Sequence, residues 1–398
     1  MVVKTVNQES NAPMTTIVLL FASTLTAMAT AAIAPALPEI KIYFQNVPNI
    51  EILVRLILTI PAFSIAMGAP FMGVIIDKWG RKNLLIVSTI LYGVTGSSGF
   101  YLNSLLLIFI GRFLLGVAVA GIMTTSTALI ADYYQDIRRN KVMGYQASFM
   151  AFGGVIFLTG SGFLAVISWQ TPFLLYLGSL VLLPGMLKYL IEPKTESKQH
   201  INTNLDKKQR IPYKNVITIY LLIFVVQIFF FTSVTELPFF LTQYLSLNLD
   251  VVGITLASLT LSGGIVALFY NKVKQKFNFR VIFILAFGLF GMGFFMISLS
   301  TTHAFVILSL LIAGSGFGLL VPNITVWLVG DIPETVRGRI LSGFTSFLFL
   351  GQFFSPLFSQ TLLQFVEVAE IFKITGIALF SIGIIFLGLY VREYLQRN

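Results

Sequence analysis

Arg112 and Glu236 lie inside or at the edge of long apolar runs, and the stretch Asp77-Lys78-Trp79-Gly80-Arg81-Lys82 packs its charge between two such runs. A charge within an apolar run is costly to bury, so it normally faces a helix-bundle interior or a water-filled cavity, where it binds a substrate or passes a proton. At 1.5 Å of rise per residue, Arg112 is ~10 Å into its run. Two roles stand for it: substrate binding or proton coupling, or bracing of neighbouring helices through their backbone carbonyls. Glu236 precedes Leu237-Pro238, and a residue before proline is pushed toward extended geometry. Regular helix is therefore expected to end there, leaving Glu236 at the mouth of a cavity as a gate or proton carrier, or simply solvated. Thr232 shares its helical face, whereas Gln227 points the opposite way. Gln146, Asn323 and Gln352 are polar groups in apolar runs and candidates to line the same cavity. Phe229, Phe230 and Phe231 read as packing or lipid-facing residues rather than a ligand cage. Gly314, Gly316 and Gly318 before Pro322-Asn323 suit close helix packing and a break that frees backbone near Asn323.

Enzyme chemistry is not legible. The chain has no cysteine and two histidines, His200 and His303, both outside the predicted spans, so neither a nucleophile–base–orienter set nor a metal cluster can be assembled. No metal or organic cofactor is expected.

The elements that must hold these residues are membrane spans. Hydrophobic residues make up 56% of the sequence and charged residues 11%, against about 25% in soluble domains. A span needs about 20 mostly apolar residues. Twelve are predicted, at 15–37, 52–76, 84–102, 105–131, 142–166, 172–191, 215–237, 251–270, 281–299, 304–328, 340–358 and 371–391. The polar, Lys-rich stretch 192–214 reads as a linker between an N-terminal six-helix bundle (1–191) and a C-terminal one (215–398). Residues 1–14 are polar and the first apolar run is long enough to stay in the membrane, so no cleaved leader is expected. An even number of spans puts both termini on one side. With that side taken as the cytoplasm, all of the 26 Lys and Arg except Lys41, Arg55, Arg112 and Lys373 fall on it, as the positive-inside rule requires. The net charge of +10 then has its source in these loops, not in nucleic-acid binding.

The halves repeat. Asp132, Arg138 and Gly144 recur at a constant offset of about half the chain as Asp331, Arg337 and Gly343. The run Gly73-Val-Ile-Ile-Asp77-Lys78-Trp79-Gly80-Arg81-Lys82 follows the pattern G-x-x-x-D-[RK]-x-G-[RK]-[RK] and resembles the helix 2–3 signature loop of the major facilitator superfamily of transporters. Its second copy, around Asn271–Lys276, keeps the positive charges but not the Asp or the Gly. Arg112-Phe-Leu-Leu-Gly116 is similar to the helix 4 motif of proton-coupled members, where the Arg is implicated in coupling.

The resemblance implies an all-α membrane protein of twelve transmembrane helices in two pseudo-symmetric six-helix bundles rocking about a central site. Gly73, Asp77, Gly80, Arg81, Asp132 and Arg138 would form a cytoplasmic switch that latches the outward-open state. The glycines of helix 5 and Ser168-Trp169 are similar to bacterial drug and metabolite exporters. The chain differs from drug–proton antiporters in having no proline from Gly144 to Gly162 and no acid within 15–37; Glu39 lies beyond Pro38. Export of a drug or metabolite by proton antiport across a bacterial inner membrane is the leading expectation, by a monomer whose partners are a small-molecule substrate and the lipid bilayer, with no nucleic acid. A carrier for an anionic metabolite such as a siderophore or organic acid, anchored by Arg112, is the alternative. A non-transporting receptor that signals through 192–214 is the alternative from another class.

Overall fold

The computed structural model describes residues 13–193, 212–333 and 336–397. Most of the expected linker, 194–211, lies outside the described residues. In chain order the elements are α1 (Pro13–Ala31), a 3₁₀ turn η1 (Ala34–Ala36), α2 (Leu37–Tyr43), α3 (Ile50–Trp79), α4 (Arg81–Gly96), α5 (Ser98–Tyr101), α6 (Leu105–Tyr133) and α7 (Asp136–Ile167). A long 3₁₀ segment η2 (Thr171–Leu182) and α8 (Leu183–Tyr189) complete the first half. The second half holds α9 (Tyr213–Gln243), α10 (Leu249–Leu268), α11 (Tyr270–Lys276), α12 (Phe279–Ser298), α13 (His303–Asp331), α14 (Arg337–Leu363) and α15 (Val368–Arg397).

Together these elements make 12 segments long and apolar enough to cross a membrane, and no strand occurs among the described residues. Helices are what such apolar runs must form, because lipid offers no partner for a free backbone group. Twelve crossings return the chain to the face it started from, here termed the terminal face; the opposite one is the far face.

Pseudo-twofold symmetry is visible in which helices touch. In the first half α3 packs on α6, α4 on α6, α1 on α7 and α4 on η2. In the second half the equivalent pairs α10–α13, α12–α13, α9–α14 and α12–α15 repeat that arrangement. The halves meet through α3 with α14 and α7 with α10, which the same symmetry relates. The fold class expected from the sequence is therefore the one observed.

Glycines set the closest approaches. A Cβ built on Gly116 would lie 2.4 Å from the carbonyl oxygen of Pro61, so α6 sits directly on α3. Gly314 and Gly318 press on the backbone of α10 at Leu259 and Gly263, and Gly316 on α12 at Phe290. Close packing is thus what the glycines of α13 do.

Two local expectations change. The sixth span is mostly 3₁₀, opened by Pro172 at its first turn and followed by Pro184 at the first turn of α8. Further, α9 does not end at Glu236; it runs unbroken through Pro238 to Gln243. In a membrane bundle neighbouring helices and local hydroxyls satisfy the carbonyls a proline frees. Pro238 withholds the donor that the Val234 carbonyl would otherwise receive, and hydroxyl bonds brace the turns on either side: Thr242 donates to the carbonyl oxygen of Pro238 and Thr235 to that of Phe231.

Candidate functional site: a central cavity and its far-face gate

A cavity of about 430 Å³ lies between the halves. Its N-terminal wall is built of small and flexible side chains: Thr26, Ala27, Thr30 and Ala31 of α1, Met123 of α6, and Met150, Ala151, Gly154 and Leu158 of α7. The C-terminal wall is larger and more rigid. Gln227, Phe230, Phe231 and Val234 come from α9, Thr260 from α10, Phe317 from α13, and Thr345, Leu348, Phe349 and Gln352 from α14. The rings of Phe230 and Phe317 stack with centroids 3.9 Å apart. Among the described residues no ionisable side chain lines the cavity. Its size falls in the range of about 300–1,000 Å³ that holds drug-sized molecules.

On the far face the halves close over this cavity. Arg55, two turns into α3, donates through Nε and Nη2 to the two carboxylate oxygens of Glu236, both at 2.7 Å. The pair crosses from one half to the other, and its side chains are 3% and 0% exposed. Ser359 of α14 donates to Glu236 Oε1 at 2.6 Å, and the Arg55 guanidinium lies 4.1 Å from the ring centre of Phe239. Arg55 Nη1 also donates to the backbone oxygen of Glu51 at 2.7 Å, and Lys41 pairs with the Glu51 carboxylate. A two-pronged guanidinium–carboxylate contact of this kind is strong and geometrically specific. Among the described side chains Glu236 is the only buried acid.

Backbone contact seals the same face. A Cβ on Gly162 of α7 would lie 2.7 Å from the carbonyl oxygen of Leu249, and one on Gly253 of α10 would lie 2.6 Å from that of Leu158. Contact continues to mid-height, where Ser346 donates to the Ala66 carbonyl and Phe63 meets Phe353. Toward the terminal face a Cβ on Gly73 of α3, Gly144 of α7 or Gly338 of α14 meets no atom within 4 Å. The halves are in contact at the far face, whereas the described glycines of α3, α7 and α14 near the terminal face border open space.

Arg112 is fully buried, inside the N-terminal half and away from the cavity wall. Its Nε donates to the carbonyl oxygen of Ile57 at 3.1 Å, Nη2 to that of Ala29 at 2.6 Å, and Nη1 to the Tyr176 hydroxyl at 2.6 Å. One side chain thereby ties α1, α3 and η2 to α6, the bracing arrangement.

At the terminal face the motif loop forms a second hub. Gly80 has φ of +81°, which only glycine adopts without strain, and opens α4. The Glu192 carboxylate accepts from the backbone N–H groups of Arg81 at 2.6 Å and Lys82 at 2.7 Å. It thus satisfies free donors where the helix dipole is positive. Arg81 pairs with Asp132 at 2.7 Å, joining α4 to α6 within one half, and Arg138 lies over the ring of Tyr134. Gly73 is exposed. The side chain of Asp77 lies outside the described residues.

Of the polar residues expected in the cavity, Gln352 lines it and the other two do not. Gln146 donates to the Ser23 hydroxyl at 2.9 Å. Asn323 accepts from the Tyr270 hydroxyl and donates to the Phe279 carbonyl oxygen, both at 2.9 Å, fastening α13 to α11 and α12. Glu236 sits in the gate beyond the cavity, not in its wall, whereas Gln227 is in the wall, as the helical half-turn between them requires. Phe230 and Phe231 are cavity residues, contrary to the packing role expected for them; alternation of the α9 face between Phe358 and the cavity decides this. Arg55 was the partner missed. The available signal was an Arg just inside the far end of one span, matching in depth an acid just inside the far end of another.

A family model described as Major Facilitator Superfamily matches residues 19–356 and 219–397. Multidrug resistance protein 1 of Bacillus subtilis (strain 168) is 24% identical over 324 residues, 79% of this chain and 81% of that protein. Quinolone resistance protein NorA of Staphylococcus aureus (strain MSSA476) is 22% identical over 379 residues, covering 91% of this chain and 94% of NorA. Among solved structures, a D-xylose-proton symporter superposes with a TM-score of 0.76 at 17% identity, covering 94% of this chain and 96% of its own. The inward-open xylose transporter XylE from E. coli does so with a TM-score of 0.77 at 15% identity, covering 94% and 95%. These two share the fold.

Proposed function

We propose that this chain, which belongs to the Major Facilitator Superfamily, is an alternating-access exporter of small organic molecules from a bacterial cytoplasm, driven by proton entry. The observation that carries the reading is the cavity between the halves, shut from the far face by a buried ion pair whose acid is the only buried one described. The charge bias of the loops supports a cytoplasmic terminal face. Export is supported by two relatives named for multidrug and quinolone resistance.

The gate suggests how a proton would be coupled. With the far face open, Arg55 and Glu236 part, water reaches Glu236, and it takes a proton from outside. Closing the gate brings the guanidinium back within 2.7 Å of the carboxylate. The closed gate uses both carboxylate oxygens as acceptors, for Arg55 and for Ser359, and leaves no place for a proton between them, so closure hands the proton toward the cavity on its cytoplasmic path. Export of substrate in the opposite half-cycle completes an antiport. The low cost of rocking rests on the two symmetry-related seams, α3–α14 and α7–α10, which stay packed near mid-height. The Arg81–Asp132 pair and the Glu192 cap would keep the N-terminal half rigid while it moves.

An anion carrier anchored by Arg112 finds no support in this geometry. Arg112 is engaged with three neutral partners outside the cavity, and among the described residues no Lys, Arg or His lines the cavity.

Proteoliposomes with an imposed pH gradient test the proposal. Wild type is expected to accumulate a fluorescent drug against its gradient. Glu236→Gln is expected to keep passive exchange and lose gradient-driven accumulation. Full accumulation by Glu236→Gln would remove Glu236 from coupling.

A further inference from the structure

The polar groups of the cavity are unevenly satisfied. Gln227 is 4% exposed and Gln352 is 8% exposed, yet the amide oxygen of each is buried with no hydrogen-bond partner. Buried acceptors are rarely left open, because each unmet one costs its full desolvation. The two residues sit where α9 and α14 touch and line the same cavity: a Cβ on Gly351, next to Gln352, would lie 2.8 Å from the Cβ of Gln227. Both residues line the cavity, and beside them the Phe230–Phe317 stack offers a flat aromatic wall. Among the described residues no carboxylate or basic group borders the space, and Glu236, the nearest candidate counter-charge along α9, is already paired with Arg55. An ion entering this cavity would leave water without finding a partner of opposite charge, which is the costly case.

We infer that the cavity takes uncharged, planar aromatic molecules carrying a hydrogen-bond donor, and that the amides of Gln227 and Gln352 recognise that donor. This rests on the exporter reading for its place in transport, but it concerns binding alone. The aromatic wall sets the plane of the ligand, since rings prefer offset stacking on such a surface. The small and flexible N-terminal wall, with Met123 and Met150, adapts to its outline. Specificity then comes from the amides, because a site with unmet acceptors rejects an isostere that lacks the donor far more strongly than one that differs in apolar bulk.

A matched set of fluorescent probes separates the alternatives: acridone (neutral, one N–H donor), N-methylacridone (neutral, no donor) and N-methylacridinium (cationic). Each is titrated against the full chain in nanodiscs without any gradient. Acridone is expected to bind about tenfold or more tighter than either of the others. The single N–H of acridone is shared between the two amide oxygens, so Gln227→Met and Gln352→Met are each expected to weaken acridone about threefold and the double variant about tenfold, the worth of one hydrogen bond, and all to leave N-methylacridone unchanged. Gln352→Glu is expected to raise affinity for N-methylacridinium. The inference is overturned if acridone does not bind, if the cation binds as well as acridone to wild type, or if the Met variants weaken acridone and N-methylacridone equally. Acridone bound through both amides but not accumulated by pH-driven vesicles would instead sink the exporter reading and leave this inference standing.

Discussion

Arg55→Met should open the far face. In the closed conformation the guanidinium makes two 2.7 Å contacts to Glu236, and both side chains are almost wholly out of water. Removing one member of such a pair costs about 3–5 kcal/mol, because the other charge stays buried and unpaired. That cost applies only while the gate is shut; once the halves part, Glu236 regains water. The whole amount therefore acts on the conformational equilibrium, favouring the far-open state by about a hundredfold to several thousandfold. Glu236→Gln should shift it less, since Arg55 keeps the Glu51 carbonyl at 2.7 Å and the Glu51 carboxylate at 3.4 Å. The double variant Arg55→Met/Glu236→Gln leaves no buried charge and should return most of the way, with a coupling energy in the range of about 1.5–7 kcal/mol found for close charge pairs. Pulsed electron–electron distance measurement reads this directly. The chain has no native cysteine, so spin labels on Asn46→Cys and Phe365→Cys, exposed on either side of the far face, report only the gate. An unchanged distance distribution in Arg55→Met would refute the gate. A double variant as displaced as Arg55→Met alone would assign the effect to lost packing on Phe239 instead of charge.

Gly253→Val should wedge the same face open, since even a Cβ there would lie 2.6 Å from the Leu158 carbonyl; transport should fall while probe binding persists, and normal transport would contradict the seal. Arg112→Lys keeps the charge but cannot reach three acceptors on separate elements, so the unfolding midpoint in detergent should drop by the equivalent of about 2–3 kcal/mol with substrate Kd unchanged. An unchanged midpoint with weaker binding would place Arg112 at the substrate after all. Gly80→Ala forces a non-glycine residue to φ near +81° and crowds Glu192 at 2.8 Å, a destabilisation of about 1–3 kcal/mol. In thermal unfolding it should be non-additive with Glu192→Ala, and strict additivity would mean that the Glu192 cap is not what Gly80 accommodates.

Sequence periodicity and composition were enough for the membrane architecture. Runs of about 20 apolar residues admit one solution in lipid, and their number and the Asp132/Asp331 repeat foretold two six-helix halves. The turn glycine was legible as well, because a tight turn between an apolar run and a basic pair asks for a residue free to take positive φ, and Gly80 does. The continuation of α9 through Pro238 was not, since the bias against helix before proline is a local one, and a helix packed in a membrane bundle can run on past a proline.

For the site, sequence alone determined which residues carry unusual charge or polarity for their depth: Arg112, Glu236, Gln352. Only the tertiary structure decided what each of them meets. Arg112, buried deeper in its span, is a brace held to Ile57, Ala29 and Tyr176, whereas Arg55, just inside the far end of its own span, is the partner of Glu236 across the halves. Depth follows from counting residues along one helix. Partnership depends on the angle at which that helix faces its neighbours, and those neighbours are set by contacts between segments far apart in the chain.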